Sequence, residues 1–160
     1  MTDREATIFG LALGAFGVWL MTRPRPVAEG GSIWQSLIAS TITPDEAASY
    51  AQAAGFPAEE IPTIVAIAQA ESGLRTQVIA DNLAAGGTSV RYRGDAPPPG
   101  VSSSDRGVLQ INDKWHPEVT DDQAFDPGEA FAAAYQISKQ GSDFTPWSTY
   151  KNGAYQQFLA

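Results

Sequence analysis

The sequence contains no cysteine and only one histidine among its 160 residues. Without thiols the chain can form neither a disulfide framework nor a thiolate metal site, and His116 alone cannot build a multi-histidine centre. Basic residues are also scarce, since 10 lysines and arginines stand against 18 aspartates and glutamates, for a net charge of −8. Nucleic-acid binding requires a basic surface. We therefore expect no metal, no cofactor and no nucleic-acid partner.

Charge is absent from residues 6–22, which are mostly apolar. As a helix this stretch would be about 25 Å long, at the short end for a membrane span. A secretory signal peptide is the rival interpretation, but acidic residues surround the single Arg4 and no good cleavage site follows. We predict a retained, transmembrane-like hydrophobic helix over residues 1–22, a proline- and glycine-bearing linker over 23–31 and one domain over 32–160.

Helix start signals divide this domain into segments. The capping pattern of residues 43–46 predicts a helix that ends at Gly55, and residues 126–129 predict a second capped helix. Between them, clusters of glycine, proline and serine over residues 80–104 predict a long loop with at most a short strand at 90–93. The predicted fold class is mainly α-helical.

Glu71 ends one of the helical segments. Ile64, Ile67 and Ala68 precede it by seven, four and three residues, so its carboxyl group would lie on or beside the apolar face of a helix that Gly73 terminates. Apolar surroundings disfavour the ionised form and raise the pKa of a carboxyl group. Such a group can act as a general acid near neutral pH. The alternative is an ordinary surface glutamate at a helix end.

Three motifs follow one another along the chain: Glu-Ser at residues 71–72, Gly-Val-Leu-Gln at 107–110 and Tyr-Lys-Asn-Gly at 150–153. In this order they resemble the lysozyme-like superfamily, in particular the branch of soluble lytic transglycosylases and goose-type lysozymes. The resemblance begins near Thr43 and departs from the family at Ala130, where an asparagine is common. It implies a lysozyme-like helical domain, whose long loop walls one side of a glycan cleft, and a peptidoglycan substrate.

The resemblance implies that Glu71 is the catalytic residue and that Ser72, Gly107, Gln110 and Tyr150 contact substrate. Ser72, Gln110 and Tyr150 each have a structural alternative. Ser72 either orients Glu71 or caps the helix, and Gly107 lets the backbone approach a sugar. The amide of Gln110 either binds a sugar oxygen or holds its own loop. Tyr150 either hydrogen-bonds Glu71 or the sugar, or packs in the core.

The implied reaction is cleavage of the β-1,4 bond between N-acetylmuramic acid and N-acetylglucosamine. A lytic transglycosylase needs one catalytic carboxyl group, whereas a hydrolase usually needs a second. Asp105 and Asp113 flank the motif at 107–110 and are candidates for the second group, or else they cap turns. Because the sequence shows no carboxylate pair at a fixed spacing, we favour the lyase over the muramidase. A glycan-binding or assembly component without catalytic activity is the non-enzyme alternative.

Residues 7–22 are predicted to attach the domain to a membrane or to a virion or envelope assembly. Arg23 and Arg25 would by themselves keep the following domain in the cytoplasm, where there is no peptidoglycan to cleave. A phage virion component, delivered from outside the cell, would not follow that insertion route. We therefore expect a virion-associated or membrane-anchored protein that acts on the cell wall in the periplasm or envelope.

Overall fold

The structure is a computed structural model that describes residues 41–159. The predicted hydrophobic helix over 1–22 and the linker over 23–31 lie outside the described residues, as do residues 32–40 of the predicted domain. Among residues 41–159, no helix has the length and apolar character that a membrane crossing would require.

Two helices lead to the position of Glu71. Helix α1 spans Pro44–Ala54, and Thr43 and Glu46 form the predicted capping box at its start. Helix α2 spans Ile61–Ser72 and ends where Gly73 adopts a left-handed conformation with φ of 63°. The five consecutive apolar residues 64–68 of α2 are all buried, so this helix runs through the core and fixes the residues at its carboxyl end. The predicted boundaries of α1 and α2 are confirmed.

A four-stranded antiparallel sheet follows α2, and the mainly α-helical prediction is therefore wrong. Its strands are β1 at Val78–Leu83, β2 at Thr88–Tyr92, β3 at Val101–Arg106 and β4 at Ile111–Asn112, in the spatial order β2-β1-β3-β4. The glycines of the predicted long loop serve as turns instead, since Gly86 and Gly87 connect β1 to β2 with φ near 90°. The described domain combines α-helices with this sheet.

The sheet escaped prediction because its strands are short and carry polar residues on the face that lines the cleft. Most residues of β2 and β3 are exposed or half-buried, so no apolar alternation marks them in the sequence. On the other face, Asp81 is fully buried and bonds to Arg91 of β2 at 2.7 Å and to Ser104 of β3 at 2.7 Å. These bonds hold three strands together. Because successive side chains of a strand point to opposite faces, the next residue, Asn82, lies on the cleft side of the sheet.

The rest of the domain is helical. Helix α3 spans Asp121–Phe125, α4 spans Pro127–Ile137, α5 spans Ser148–Lys151, and a 3-10 helix covers Ala154–Phe158. Asp126 caps α4 through the backbone N–H of Glu129, so the second predicted helix start is also confirmed. The core joins these helices to α1, α2 and the loop before β4, and its largest side chains are Phe56, Ile64, Ile67, Leu109, Phe131, Phe144 and Trp147.

Candidate active site

The carboxyl group of Glu71 lies half-buried at the end of α2, beside α5. Its Oε1 accepts a hydrogen bond from the hydroxyl group of Thr149 at 2.7 Å and lies 3.5 Å from the backbone nitrogen of the same residue. Burial raises the pKa of Glu71 above the usual range of a glutamate, the bonds from Thr149 lower it in part, and the charge of Asp105 raises it again. A raised pKa favours the protonated form of Glu71, which is the form that a proton donor requires.

A cleft of about 550 Å³ opens in front of this carboxyl group. Residues from the sheet, from the loops around β4 and from the segment that includes α5 line it: Glu71, Asn82, Ser103, Asp105, Gln110, Ile111, Asn112, Trp115, His116, Ile137, Thr145, Pro146, Trp147, Ser148 and Lys151. Polar side chains beside aromatic rings are typical of sites that bind ligands with both hydroxyl groups and apolar faces.

Asp105 is the second carboxylate of the cleft. It lies on β3, directly opposite Asn112 of β4 and diagonally across from Asn82 of β1. This register brings both amides within reach, and Asn112 donates to Oδ1 at 2.7 Å while Asn82 donates to Oδ2 at 2.9 Å. An ionised carboxylate is a pure acceptor, and both of its oxygens find donors here. The two carboxyl groups of the cleft thus occupy different surroundings, since burial raises the pKa of Glu71 whereas Asp105 accepts from two side-chain amides.

Gln110 also lines the cleft, and its side chain stabilises the loop before β4. Its Nε2 donates to the backbone oxygen of Gly107 at 2.7 Å and to that of Val78 at 3.4 Å. The backbone of Gln110 is left-handed, with φ of 47°. In the structure, the amide of Gln110 therefore holds its own loop, which was the structural alternative to binding a sugar oxygen.

Two other predicted residues, Ser72 and Tyr150, lie away from the cleft surface. Ser72 is only 1% exposed and donates to the backbone oxygens of Ala68 and Val108, which fastens the end of α2 to the loop before β4. Tyr150 packs in the core, with ring centroids 5.6 Å from Phe144 and 4.9 Å from Tyr155. These positions correspond to the structural alternatives, since neither side chain reaches the cleft.

Gly107 and Asp113 likewise contact protein rather than the cleft. A side chain at Gly107 would meet the backbone oxygen of Ala124 at 1.9 Å, so this glycine lets the loop approach α3. Asp113 accepts from the backbone N–H of Ser104 at 2.9 Å and donates its own N–H to the oxygen of that residue. Asp113 lies in the turn that follows β4, as its structural alternative predicted, and Asp105 is the candidate that lines the cleft together with Glu71.

Three residues of the site escaped the sequence analysis. Thr149 immediately precedes Tyr150, the first residue of the third motif. Only the packing of α5 against α2 shows which of these two side chains reaches Glu71. Asn112 lies two residues after the second motif, and Asn82 lies in the segment predicted as a long loop. A prediction of strand pairing would have placed both amides beside Asp105.

The two tryptophans near the cleft differ in exposure. Trp115 is 74% exposed at the rim of the cleft, where its ring can stack against an apolar sugar face. Trp147 is buried, and its indole N–H donates to the backbone oxygen of Leu109 at 3.0 Å. Trp147 therefore supports the wall of the cleft, and Trp115 is the aromatic side chain available to a ligand.

The hydrogen bond from Thr149 gives a direct test of this arrangement. Thr149→Val should raise the pKa of Glu71 further, because the ionised carboxylate loses its hydroxyl donor while burial is unchanged. Thr149→Ser keeps the donor and should leave the pKa of Glu71 close to its original value. A carbon-detected NMR titration of the glutamate carboxyl groups measures both variants. An unchanged or lowered pKa in Thr149→Val would show that the hydroxyl group does not stabilise the carboxylate.

Comparison with known proteins identifies the family. A protein-family model described as a lysozyme-like domain matches residues 48–149, which is more than half of the chain. The match includes α2, the whole sheet and Thr149, and the chain belongs to this lysozyme-like family, whose activity is the cleavage of peptidoglycan. No curated protein matches the chain, and no solved structure matches it.

Proposed function

We propose that the domain cleaves the β-1,4 bond between N-acetylmuramic acid and N-acetylglucosamine in peptidoglycan, with Glu71 as the general acid. The observation that carries this proposal is the half-buried carboxyl group of Glu71, whose pKa is raised and which opens on the cleft. Glycosidases protonate the departing sugar oxygen with such a group. As the bond breaks, the proton of Glu71 passes to the leaving oxygen and positive charge develops on the ring that is left.

The position of Asp105 supports hydrolysis as the fate of that ring. A negative charge on the sheet side of the cleft can stabilise the developing cation or bond to it, after which water completes the reaction. In this mechanism Glu71, once deprotonated, accepts a proton from the attacking water. A buried carboxyl group with a raised pKa beside a second one held by hydrogen-bond donors is the division of roles that lysozymes use. We therefore propose a muramidase as the first candidate.

The lytic transglycosylase favoured on the sequence is the second candidate. In that reaction Glu71 first protonates the leaving oxygen and then takes a proton from the C6 hydroxyl group of the muramyl residue. The C6 oxygen attacks the anomeric carbon, and a 1,6-anhydro sugar forms without consumption of water. The amides of Asn82 and Asn112 favour this alternative, because they already engage both oxygens of Asp105 and give that carboxylate a structural role.

Mass analysis of the products from purified sacculi separates the two reactions. Muropeptides with reducing ends identify the hydrolase, whereas anhydro-muramyl ends, lighter by one water, identify the lyase. If purified protein releases neither product, and a zymogram shows no clearing, the domain binds glycan without cleaving it.

Asp105→Asn should lower cleavage by at least about tenfold in the hydrolase, because the loss of about 1.4 kcal/mol of transition-state stabilisation already has that effect. The amide keeps the shape of the side chain but removes its charge. Asp113→Asn is the matched control, since it makes the same change at the turn outside the cleft, and it should retain activity. Rates of sacculus clearing measure both variants. Equal rates for Asp105→Asn and the wild type would favour the lyase.

The association of residues 7–22 with a membrane, virion or envelope assembly lies outside the described residues and stays a proposal. The uncharged run of residues 6–22 motivates it. Sedimentation with liposomes or particles, with and without residues 1–31, tests it. Equal sedimentation of the two forms would contradict an anchoring role.

A further inference from the structure

Lys151 is the only lysine or arginine among the residues that line the cleft. It is the last residue of α5, and its side chain is exposed to solvent. Within residues 41–159, its ammonium group has neither a hydrogen-bond acceptor nor an ion-pair partner. Every other described lysine and arginine contacts a polar group or an aromatic ring: Arg75, Arg91, Arg93, Arg106, Lys114 and Lys139. Lys151 is therefore the one lysine or arginine without such a contact among residues 41–159, and it lines the cleft.

Helix α5 carries both this ammonium group and the residue that contacts Glu71. Thr149 of α5 holds the carboxyl group of Glu71 at 2.7 Å. Ser148 and Lys151, three residues apart, lie on one face of the helix, and both line the cleft. The helix that positions the proposed general acid thus also presents an ammonium group to a bound ligand.

The charge of the cleft indicates what this ammonium group would bind. The whole chain carries a net charge of −8, and Glu71 and Asp105 add two carboxyl groups to the cleft itself. A ligand that bears carboxylates would be repelled by such a surface unless a cation offset the repulsion locally. A neutral polymer of N-acetylglucosamine would gain nothing from that cation.

We propose that Lys151 binds a carboxylate of the glycan substrate and that the cleft thereby prefers carboxylate-bearing muramyl glycans to neutral glycans. This inference rests on the proposed cleavage of peptidoglycan. The carboxylate has two sources in that polymer. Strands stripped of peptide expose the lactyl carboxylate of N-acetylmuramic acid, whereas intact peptidoglycan carries carboxylates on its stem peptides.

The experiment compares Lys151→Met with Lys139→Met, which removes the same charge from an exposed ion pair with Asp143 outside the cleft. The substrates are intact sacculi, amidase-stripped strands, and stripped strands whose carboxylates have been coupled to methylamine as neutral amides. Lys151→Met should lower kcat/KM by about 10- to 30-fold on a carboxylate-bearing substrate. This is the lower part of the range expected for one charge-assisted hydrogen bond, because the side chain of Lys151 is exposed. On the neutralised strands it should match the wild type. A loss on stripped strands assigns the lactyl carboxylate, and a loss confined to intact sacculi assigns the stem peptide.

Equal rates for the Lys151→Met and Lys139→Met variants on both carboxylate-bearing substrates would overturn the inference and leave the proposed function intact. Failure of the wild type to cleave any of the substrates would overturn the proposed function itself. Lys151→Arg keeps the charge and should retain most of the activity. If Lys151→Met does not fold, the wild type decides the question alone. Equal kcat/KM on stripped strands before and after neutralisation would exclude the lactyl carboxylate, and equal kcat/KM on intact sacculi before and after the same coupling would exclude the carboxylates of the stem peptides.

Discussion

Glu71→Gln is expected to lower peptidoglycan cleavage by about 10²–10⁴-fold, the contribution of a general acid. The amide has nearly the same shape and can still accept the hydrogen bond that Thr149 donates to Oε1. It cannot, however, deliver a proton to the leaving oxygen. The loss should appear in kcat with little change in KM, since substrate contacts elsewhere in the cleft remain.

Glu59→Gln is the control for this prediction, because it makes the same chemical change at an exposed position before α2. It should clear sacculi at the wild-type rate. The midpoint temperature of thermal unfolding of Glu71→Gln should equal that of the wild type or be slightly higher, because burial already disfavours the ionised form of the Glu71 carboxyl group. A folded Glu71→Gln variant that retains wild-type activity would eliminate Glu71 as the acid.

Gly107→Ala is expected to lower the free energy of unfolding by about 2–5 kcal/mol. The backbone of Gly107 is left-handed, with φ of 70°, which costs a residue with a Cβ atom about 1–2 kcal/mol. The added carbon would also stand 1.9 Å from the backbone oxygen of Ala124. Relief of that overlap requires α3 or the loop to move, at the cost of about 1–3 kcal/mol that is typical of overpacking.

Gly86→Ala separates the two contributions. Gly86 also has a positive φ, of 91°, but a Cβ atom there would meet nothing within 4 Å. Gly86→Ala should therefore show only the cost of placing a residue with a Cβ atom in a left-handed backbone conformation. Its unfolding midpoint in urea should lie between those of the wild type and Gly107→Ala. Equal destabilisation by the two substitutions would show that the close approach to Ala124 contributes nothing. Because Gly107 accepts the bond from the amide of Gln110 at 2.7 Å, loss of activity should accompany loss of stability.

The helices could be predicted because their signals are local. Thr43 and Glu46 cap α1 through atoms three residues apart, and Gly73 ends α2 through its own backbone conformation. Side chains within one or two turns contain all of this information. Glu71 could be singled out for the same reason, since its spacing from the apolar residues of α2 is fixed by the period of the helix.

The sheet and its carboxylate could not be predicted in this way. Strand pairing joins residues that are far apart in the chain, such as Asn82 and Asp105, and polar residues on the cleft face hide the alternation that would reveal the strands. Both Asp105 and Asp113 were therefore candidates on the sequence. The register of β3 with β4 decides between them, since it directs Asp105 into the cleft and leaves Asp113 in a turn.

The sequence by itself thus determined the helix ends, the acid candidate and the resemblance to lysozyme-like proteins, because each depends on residue types at short spacings. Only the tertiary structure decided that Thr149 rather than Tyr150 contacts Glu71, that Ser72 and Gly107 support the fold, and that Lys151 stands unpaired in the cleft. These assignments depend on which elements pack together. Thr149, which contacts the carboxyl group of Glu71, and Asp105, whose charge helps to raise its pKa, come from α5 and β3, segments that lie dozens of residues further along the chain.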